Sequence, residues 1–220
     1  LSPSDSMTAV ALGDGLVALG GASWADTEAQ HGVVTLLDTL SGEPIETLIQ
    51  SDEIATWLGF TENGLLVTAA SNKITAYDPA TGRTEWRSDV PRSAGPTQVW
   101  LGDRLLIYLN QQGDVGSAVV LDVLSGETVN QLPIRKASGQ ALMLDTVLAE
   151  GHGYIMTPMR SVGLDASGRL LWSDAICAPI GHLSIQLVGR QYVCLIGGAS
   201  PSQALVLPQI NFQGHPELEQ

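Results

Sequence analysis

Four copies of one short turn constrain this chain more than anything else in it. Leu37-Asp38-Thr39-Leu40-Ser41-Gly42-Glu43, Tyr77-Asp78-Pro79-Ala80-Thr81-Gly82-Arg83, Leu121-Asp122-Val123-Leu124-Ser125-Gly126-Glu127 and Leu164-Asp165-Ala166-Ser167-Gly168-Arg169 each set an aspartate shortly before a Ser-Gly or Thr-Gly pair. Aspartate bonds backbone donors two residues on, and glycine takes the conformation other residues avoid. The turn glycines lie 40, 44 and 42 residues apart. A period near 42 residues with two visible strands per period marks a repeat architecture. The fullest copy is 73–88: Ile74 and Ala76 alternate with Lys73, Thr75 and Tyr77 as a half-buried strand would. The turn follows, and a returning strand carries Trp86.

Two further markers keep step with the turn. Leu12-Gly13, Trp57-Leu58-Gly59, Trp100-Leu101-Gly102, Glu150-Gly151 and Val188-Gly189 each end one apolar run and begin another. Gly20-Gly21-Ala22-Ser23, Thr68-Ala69-Ala70-Ser71 and Gly197-Gly198-Ala199-Ser200 follow the second run. Three markers in one order define a four-stranded unit, A-B-C-D. The predicted strands are 7–12, 15–20, 32–38 and 43–49; 54–59, 64–69, 73–78 and 83–88; 97–101, 104–109, 117–122 and 127–132; 142–149, 153–157, 160–165 and 169–173; and 183–188, 190–196 and 203–208. The B–C connections are long at Trp24 to His31, two residues at Asn72-Lys73, and a polar loop from Asn110 to Gly116. The fifth unit has no marked D strand.

Short strands at this spacing, without helical periodicity, predict an all-β fold. Antiparallel four-stranded units of this length predict a β-propeller. Its blades span about 7–50, 54–90, 97–134, 142–175 and 183–213, after a linker at 1–6 and before a tail at 214–220. Packing each blade on its neighbours buries both faces, which explains Leu105-Leu106-Ile107-Tyr108-Leu109 and Val119-Val120-Leu121. The chain opens Leu1-Ser2-Pro3-Ser4-Asp5-Ser6 without an initiator Met, so it is expected to be a mature form or a piece of a longer product. Four clear units and a partial fifth make either a five-bladed ring or part of a larger one of seven or eight blades, and the second is favoured.

Charge narrows the partners. The net charge is −13 and lysine occurs only at 73 and 136, which disfavours nucleic acid and anionic membrane surfaces. No apolar run approaches the ~20 residues of a transmembrane helix. Cys177 and Cys194 either form one disulfide in an oxidising compartment or remain two buried thiols.

Ala76-Tyr77-Asp78-Pro79-Ala80-Thr81-Gly82-Arg83-Thr84-Glu85-Trp86 resembles the tryptophan-docking motif of quinoprotein (PQQ)-like propeller repeats, and fits it at every fixed position. Leu164 to Trp172 keeps Asp165, Gly168 and Trp172 with one residue fewer. The other two units carry Glu46 and Asn130 where the tryptophan belongs. The resemblance covers roughly residues 7–208. It implies that Trp86 and Trp172 pack between blades against the next turn, so that Asp38, Gly42, Asp78, Thr81, Gly82, Asp122, Gly126, Asp165 and Gly168 are structural. The family includes PQQ-dependent dehydrogenases and a non-enzymatic, BamB-like branch.

Chemistry is poorly supported. A quinone enzyme of that family would offer an Asp base, acidic and Asn calcium ligands, and often vicinal cysteines, whereas Cys177 and Cys194 stand apart. Turn geometry accounts for the aspartates. His31, His152, His182 and His215 show no metal-ligand spacing, and His182 with Ser184 lacks a third group for a hydrolase. No catalytic residue, cofactor or metal is expected. Gly20-Gly21 is expected to reflect close blade packing. A binding surface is the better reading. The B–C and D–A connections share one face, holding Trp24, Asp26, Glu28, His31, Arg92, Asp114 and His182 as candidate partner contacts. The expected function is a non-catalytic scaffold or protein-interaction domain of an extracytoplasmic or envelope-associated protein. The alternatives are a fragment of a PQQ-dependent dehydrogenase, and a sensor or ligand-recognition propeller attached to another domain.

Overall fold

The apolar runs between turns become strands, and each run of strands closes into its own sheet. The computed structural model describes residues 6–23, 31–51, 53–70, 72–93, 97–112, 115–135, 145–149, 152–156, 161–174, 182–188, 191–197 and 203–206. The first sheet holds β1 (Ser6–Leu12), β2 (Leu16–Ser23), β3 (His31–Asp38) and β4 (Pro44–Ser51). The second holds β5 (Trp57–Phe60), β6 (Leu66–Ala69), β7 (Lys73–Tyr77) and β8 (Thr84–Asp89). The third holds β9 (Gln98–Leu101), β10 (Leu105–Gln112), β11 (Val115–Asp122) and β12 (Thr128–Arg135). The fourth holds β13 (Asp145–Ala149), β14 (His152–Met156), β15 (Ser161–Leu164) and β16 (Leu170–Asp174). The fifth holds β17 (His182–Val188), β18 (Gln191–Gly197) and β19 (Gln203–Val206). Every sheet is an antiparallel meander in chain order, and no helix occurs among the described residues. This is the architecture of a β-propeller.

First strands meet first strands: β1 lies against β5, β5 against β9, β9 against β13, and β13 against β17. Glycines make room there. A Cβ at Gly13 would come within 2.6 Å of the Phe60 ring, one at Gly59 within 3.0 Å of Leu101, and one at Gly102 within 2.6 Å of Leu148. The recurring Leu-Gly marker thus leaves space at the inner strand for a large side chain of the next sheet. Hydroxyls tie the same strands together: Thr8 Oγ1 donates to Ala55 O at 2.6 Å, and Thr56 Oγ1 to Thr97 Oγ1 at 2.8 Å.

The core consists of layers between sheets. Ala18, Val34 and Leu36 face Ala55, Leu58 and Leu66. Val67, Ile74, Ala76 and Trp86 face Leu106, Tyr108, Val119 and Leu121. Leu105, Ile107 and Leu109 turn the other way, onto Ile155, Val162 and Leu164. One strand, β10, therefore serves two layers with alternate residues, as the period of two requires. Each fully buried Val, Leu or Ile among them contributes about 1.5–3 kcal/mol.

Several local expectations are corrected. β7 is buried on both faces across Ile74, Thr75 and Ala76, not half-buried, because a sheet packs on either side. Leu58-Gly59 lies inside β5, which runs on to Phe60, so that Thr61 occupies the place of Gly13 and Gly102. The polar stretch 110–116 is mostly strand, since Asn110 pairs with Ser117, Gln111 with Gly116 and Gln112 with Val115. Polar side chains there do not break the ladder, because the backbone bonds do not depend on them. Gly20 and Gly21 lie within β2 rather than after it. Gly20 admits Leu58 of the second sheet, while Gly21 admits the Ser6 carbonyl opposite a bulge in β1. Lys73 belongs to β7, and the preceding turn is closed by Ala70 N–H donating to Lys73 O at 2.9 Å. The unmarked last strand of the fifth unit falls outside the described residues.

Candidate functional site

The two ends of the sheets are built differently. At one end sit the A–B and C–D turns. Asp38 Oδ1 accepts from Leu40 N, Ser41 N and Ser41 Oγ at 3.0, 2.7 and 2.9 Å. Asp78 Oδ1 accepts from Ala80 N at 2.9 Å and its Oδ2 from Thr81 Oγ1 at 2.7 Å. Asp122 Oδ1 accepts from Leu124 N, Ser125 N and Ser125 Oγ at 3.0, 2.9 and 3.0 Å. Asp165 Oδ1 accepts from Ser167 N, Ser167 Oγ and Arg169 N at 2.9, 2.6 and 3.0 Å. The glycine closing each turn has φ between +68° and +75°, the left-handed region.

These bonds favour the ionised carboxylate. The Ser41 backbone and hydroxyl hold the Asp38 carboxyl below its ordinary value, and Thr81 with Ala80 does the same at Asp78. At Asp165 burial pushes upward, but the bonds from Ser167 and Arg169 outweigh it and the carboxyl is again lowered.

The C–D turns are also seats for the preceding sheet. Trp86 is 7% exposed, its Nε1 donates to Val123 O at 2.9 Å, and its ring covers Gly126, where a Cβ would come within 2.6 Å of Trp86 Cδ2. Ser88 Oγ donates to Gly126 O beside it. At the next interface Asn130 stands in the tryptophan position. Its Nδ2 donates to Gly168 O at 2.8 Å, while Val129 lies where a Gly168 Cβ would project. A bulge sets these side chains. Leu37 pairs with Pro44 and Leu36 with Glu46; Tyr77 pairs with Thr84 and Ala76 with Trp86; Leu121 pairs with Thr128 and Val120 with Asn130; Leu164 pairs with Leu170 and Gly163 with Trp172. In each of the four fourth strands one extra residue precedes the docking position, and such a bulge re-aims the side chain after it. Sequence reasoning placed the tryptophan position but missed the bulge and the bonding roles of Ser88 and Asn130. A polar residue in register with Trp86 was the available signal for Asn130.

At the opposite end the topology gathers the B–C and D–A connections. His31 opens β3, paired with Ser23; exposed Arg92 lies between β8 and β9; and His182 opens β17, paired with Gly197. Trp24, Asp26, Glu28 and Asp114 lie outside the described residues, as does Cys177, while Cys194 lies in β18. Lys73 Nζ meets Glu53 Oε1 at 2.9 Å at this end, and Tyr108 Oη donates to Pro91 O at 3.2 Å. Burial raises the Tyr108 hydroxyl above its ordinary value. This end carries no converging acid, base and nucleophile among the described residues.

The described residues do not fit a quinone held with calcium. The turn aspartates direct carboxylate oxygens at donors of their own turns, and no three His, Cys, Asp or Glu side chains lie together among the described residues. No helix of the described residues is long and apolar enough to cross a membrane.

Comparison with known proteins matches this architecture. None of the curated proteins matches the sequence. Among solved structures, hydrazine synthase of Kuenenia stuttgartiensis is similar at 13% identity and a TM-score of 0.55, over 86% of this chain and 61% of that one. Hsv2 of Kluyvelomyces marxianus is similar at 9% identity and a TM-score of 0.57, over 93% of this chain and 61% of that one. The chain therefore spans less than two thirds of the length of either, and at these identities the likeness concerns the fold alone. The computationally designed Ika4 protein aligns at 16% identity and a TM-score of 0.48, over 80% of this chain and 94% of that one. The family model described as outer membrane protein assembly factor BamB matches residues 30–197. The chain belongs to this BamB-like family of PQQ-like repeat β-propellers.

Proposed function

We propose that the chain is a non-catalytic propeller scaffold of the cell envelope that docks another protein in outer-membrane assembly. The observation that carries this reading is the family match across 30–197, whose description names an outer membrane protein assembly factor. The build of the two ends supports one of them as the docking face. At the C–D turns the aspartate carboxylates are engaged in closing their own turns, and Trp86 and Asn130 in holding neighbouring sheets together. The B–C and D–A end presents exposed Arg92 with His31. The proposed contact set is Trp24, Asp26, Glu28, His31, Arg92, Asp114 and His182, and the proposed compartment is extracytoplasmic.

A photo-crosslinking residue at position 92, and another at exposed Leu124 on the opposite end, test this in the full-length product in its own cells. A discrete crosslinked protein from position 92 and none from 124 is the expected result. Crosslinks from 124 alone would move the docking face to the C–D end. No protein partner from either position, together with a bound quinone and calcium in the purified product, would overturn the reading in favour of an enzyme.

A further inference from the structure

In each four-stranded sheet the fourth strand pairs on one side only, and its other edge is a template for a further strand. β4, β12 and β16 have guarded or short edges. β4 is interrupted by two bulges. In β12 the Gln131 N–H donates to Asn130 Oδ1 at 2.8 Å instead of to the sheet, and the next residue of the same alternation is Pro133, which has no N–H. β16 ends at Asp174, which leaves Ser173 as its one outward residue after Trp172. β8 has none of these devices after Trp86. Just beyond it, Val90 N–H donates inward to Asn72 O at 2.9 Å, so alternation turns the backbone groups of Arg87 and Asp89 outward. Both residues are exposed, and neither has an ion pair among the described residues.

We infer that the β8 edge pairs with the β8 edge of a second copy of the chain, antiparallel about a two-fold axis at Ser88. The occupant follows from the order of residues along the edge. Rotation about Ser88 sets Arg87 opposite Asp89 of the second copy, and Asp89 opposite its Arg87. These are the outward residues, so each pair exchanges both of its backbone hydrogen bonds. The side chains of a pair share one face and carry opposite charge, which favours this register. A parallel pairing of the two edges would set like charges opposite each other. The edge is therefore self-complementary under a two-fold axis, as an isologous contact requires. The contact is short, so the dimer is a weak one. It lies on the rim of the second sheet and does not depend on which end of the sheets docks a partner.

The test uses the full-length natural product in sedimentation runs from about 10 µM to about 1 mM, where a reversible monomer–dimer equilibrium is expected. Arg87→Asp and Asp89→Arg each set like charges opposite each other in both pairs, and each is expected to weaken the dimer at least about tenfold. Mixed in equal amounts, the two variants regain opposite charge in both pairs, and the mixture is expected to associate within about threefold of the natural product. Asp89→Pro copies the guard at position 133 and is expected to weaken the dimer at least about tenfold while thermal melts show the fold intact. A product that stays monomeric throughout would overturn the inference. So would single variants that dimerise as well as the natural product, or a mixture no stronger than its components. A photo-crosslinking residue at exposed Glu85 that captures a different protein in cells, and never a second copy, would give the edge to a foreign strand and overturn it as well.

Discussion

Trp86 and Gly126 act as a pair, and the pair can be separated by substitution. Trp86→Ala removes a large buried ring and is expected to cost about 3–5 kcal/mol in a urea titration. Trp86→Phe keeps most of the ring but leaves Val123 O without its donor, and about 1–3 kcal/mol is expected. Gly126→Ala and Gly42→Ala both force a side chain into the left-handed region, a cost of about 1–2 kcal/mol each. Gly126→Ala must also displace Trp86, adding about 1–3 kcal/mol, whereas Gly42 is open. Equal losses at the two glycines in the 220-residue chain would remove the seat from the account. The turn aspartates add a pH dependence. At Asp38, Asp78 and Asp165 the folded pKa is depressed, so their contribution is complete above the unfolded value near 3.8 and is lost as pH falls through the lower folded value. Thermal melts from pH 7 to 3 should therefore fall at the acid end. Asp78→Asn should melt lower at pH 7 and lose less on acidification, because its side chain no longer titrates.

At the scale of the element, the bulge before Glu46, Trp86, Asn130 and Trp172 does for all four sheets what no single residue does. In the second and third sheets the residue at that register position reaches the next turn, whether it is an indole or an amide. Asn130→Ala should then weaken the third interface by about 1 kcal/mol, the size of one hydrogen bond. Hydrogen exchange should quicken in β15 and β16 more than in β7. The reverse order would show that Asn130 does not act through the interface with the fourth sheet. The strands themselves were legible because Asp-x-x-Ser-Gly turns bound each run, and predicted ends fall within a few residues of observed ones. The bulges were not legible. An inserted residue shows itself only against its partner strand, and Ile45, Glu85, Val129 and Leu171 share no chemistry that would announce it.

For the whole molecule, nearest-neighbour contacts between sheets make stability a sum of local terms, as in other repeat proteins. Damage at the Trp86 seat should thus appear first in the second and third sheets and last in the fifth. Of the proposed docking face, the sequence supplied a topology: alternating turns must put Arg92, His31 and His182 at one end. It could not supply which exposed side chains act together there, since that depends on how adjacent sheets are rotated about the axis. What the residues determined alone is the unit: strand lengths, turn type and two apolar faces follow from hydrophobic period and from the φ that glycine alone takes cheaply. The tertiary structure decided how units meet. A bulge aims one side chain, a glycine leaves it space, and a carbonyl 37 residues away in the chain accepts its hydrogen bond, because packing complementarity arises between surfaces that do not exist until both sheets have formed.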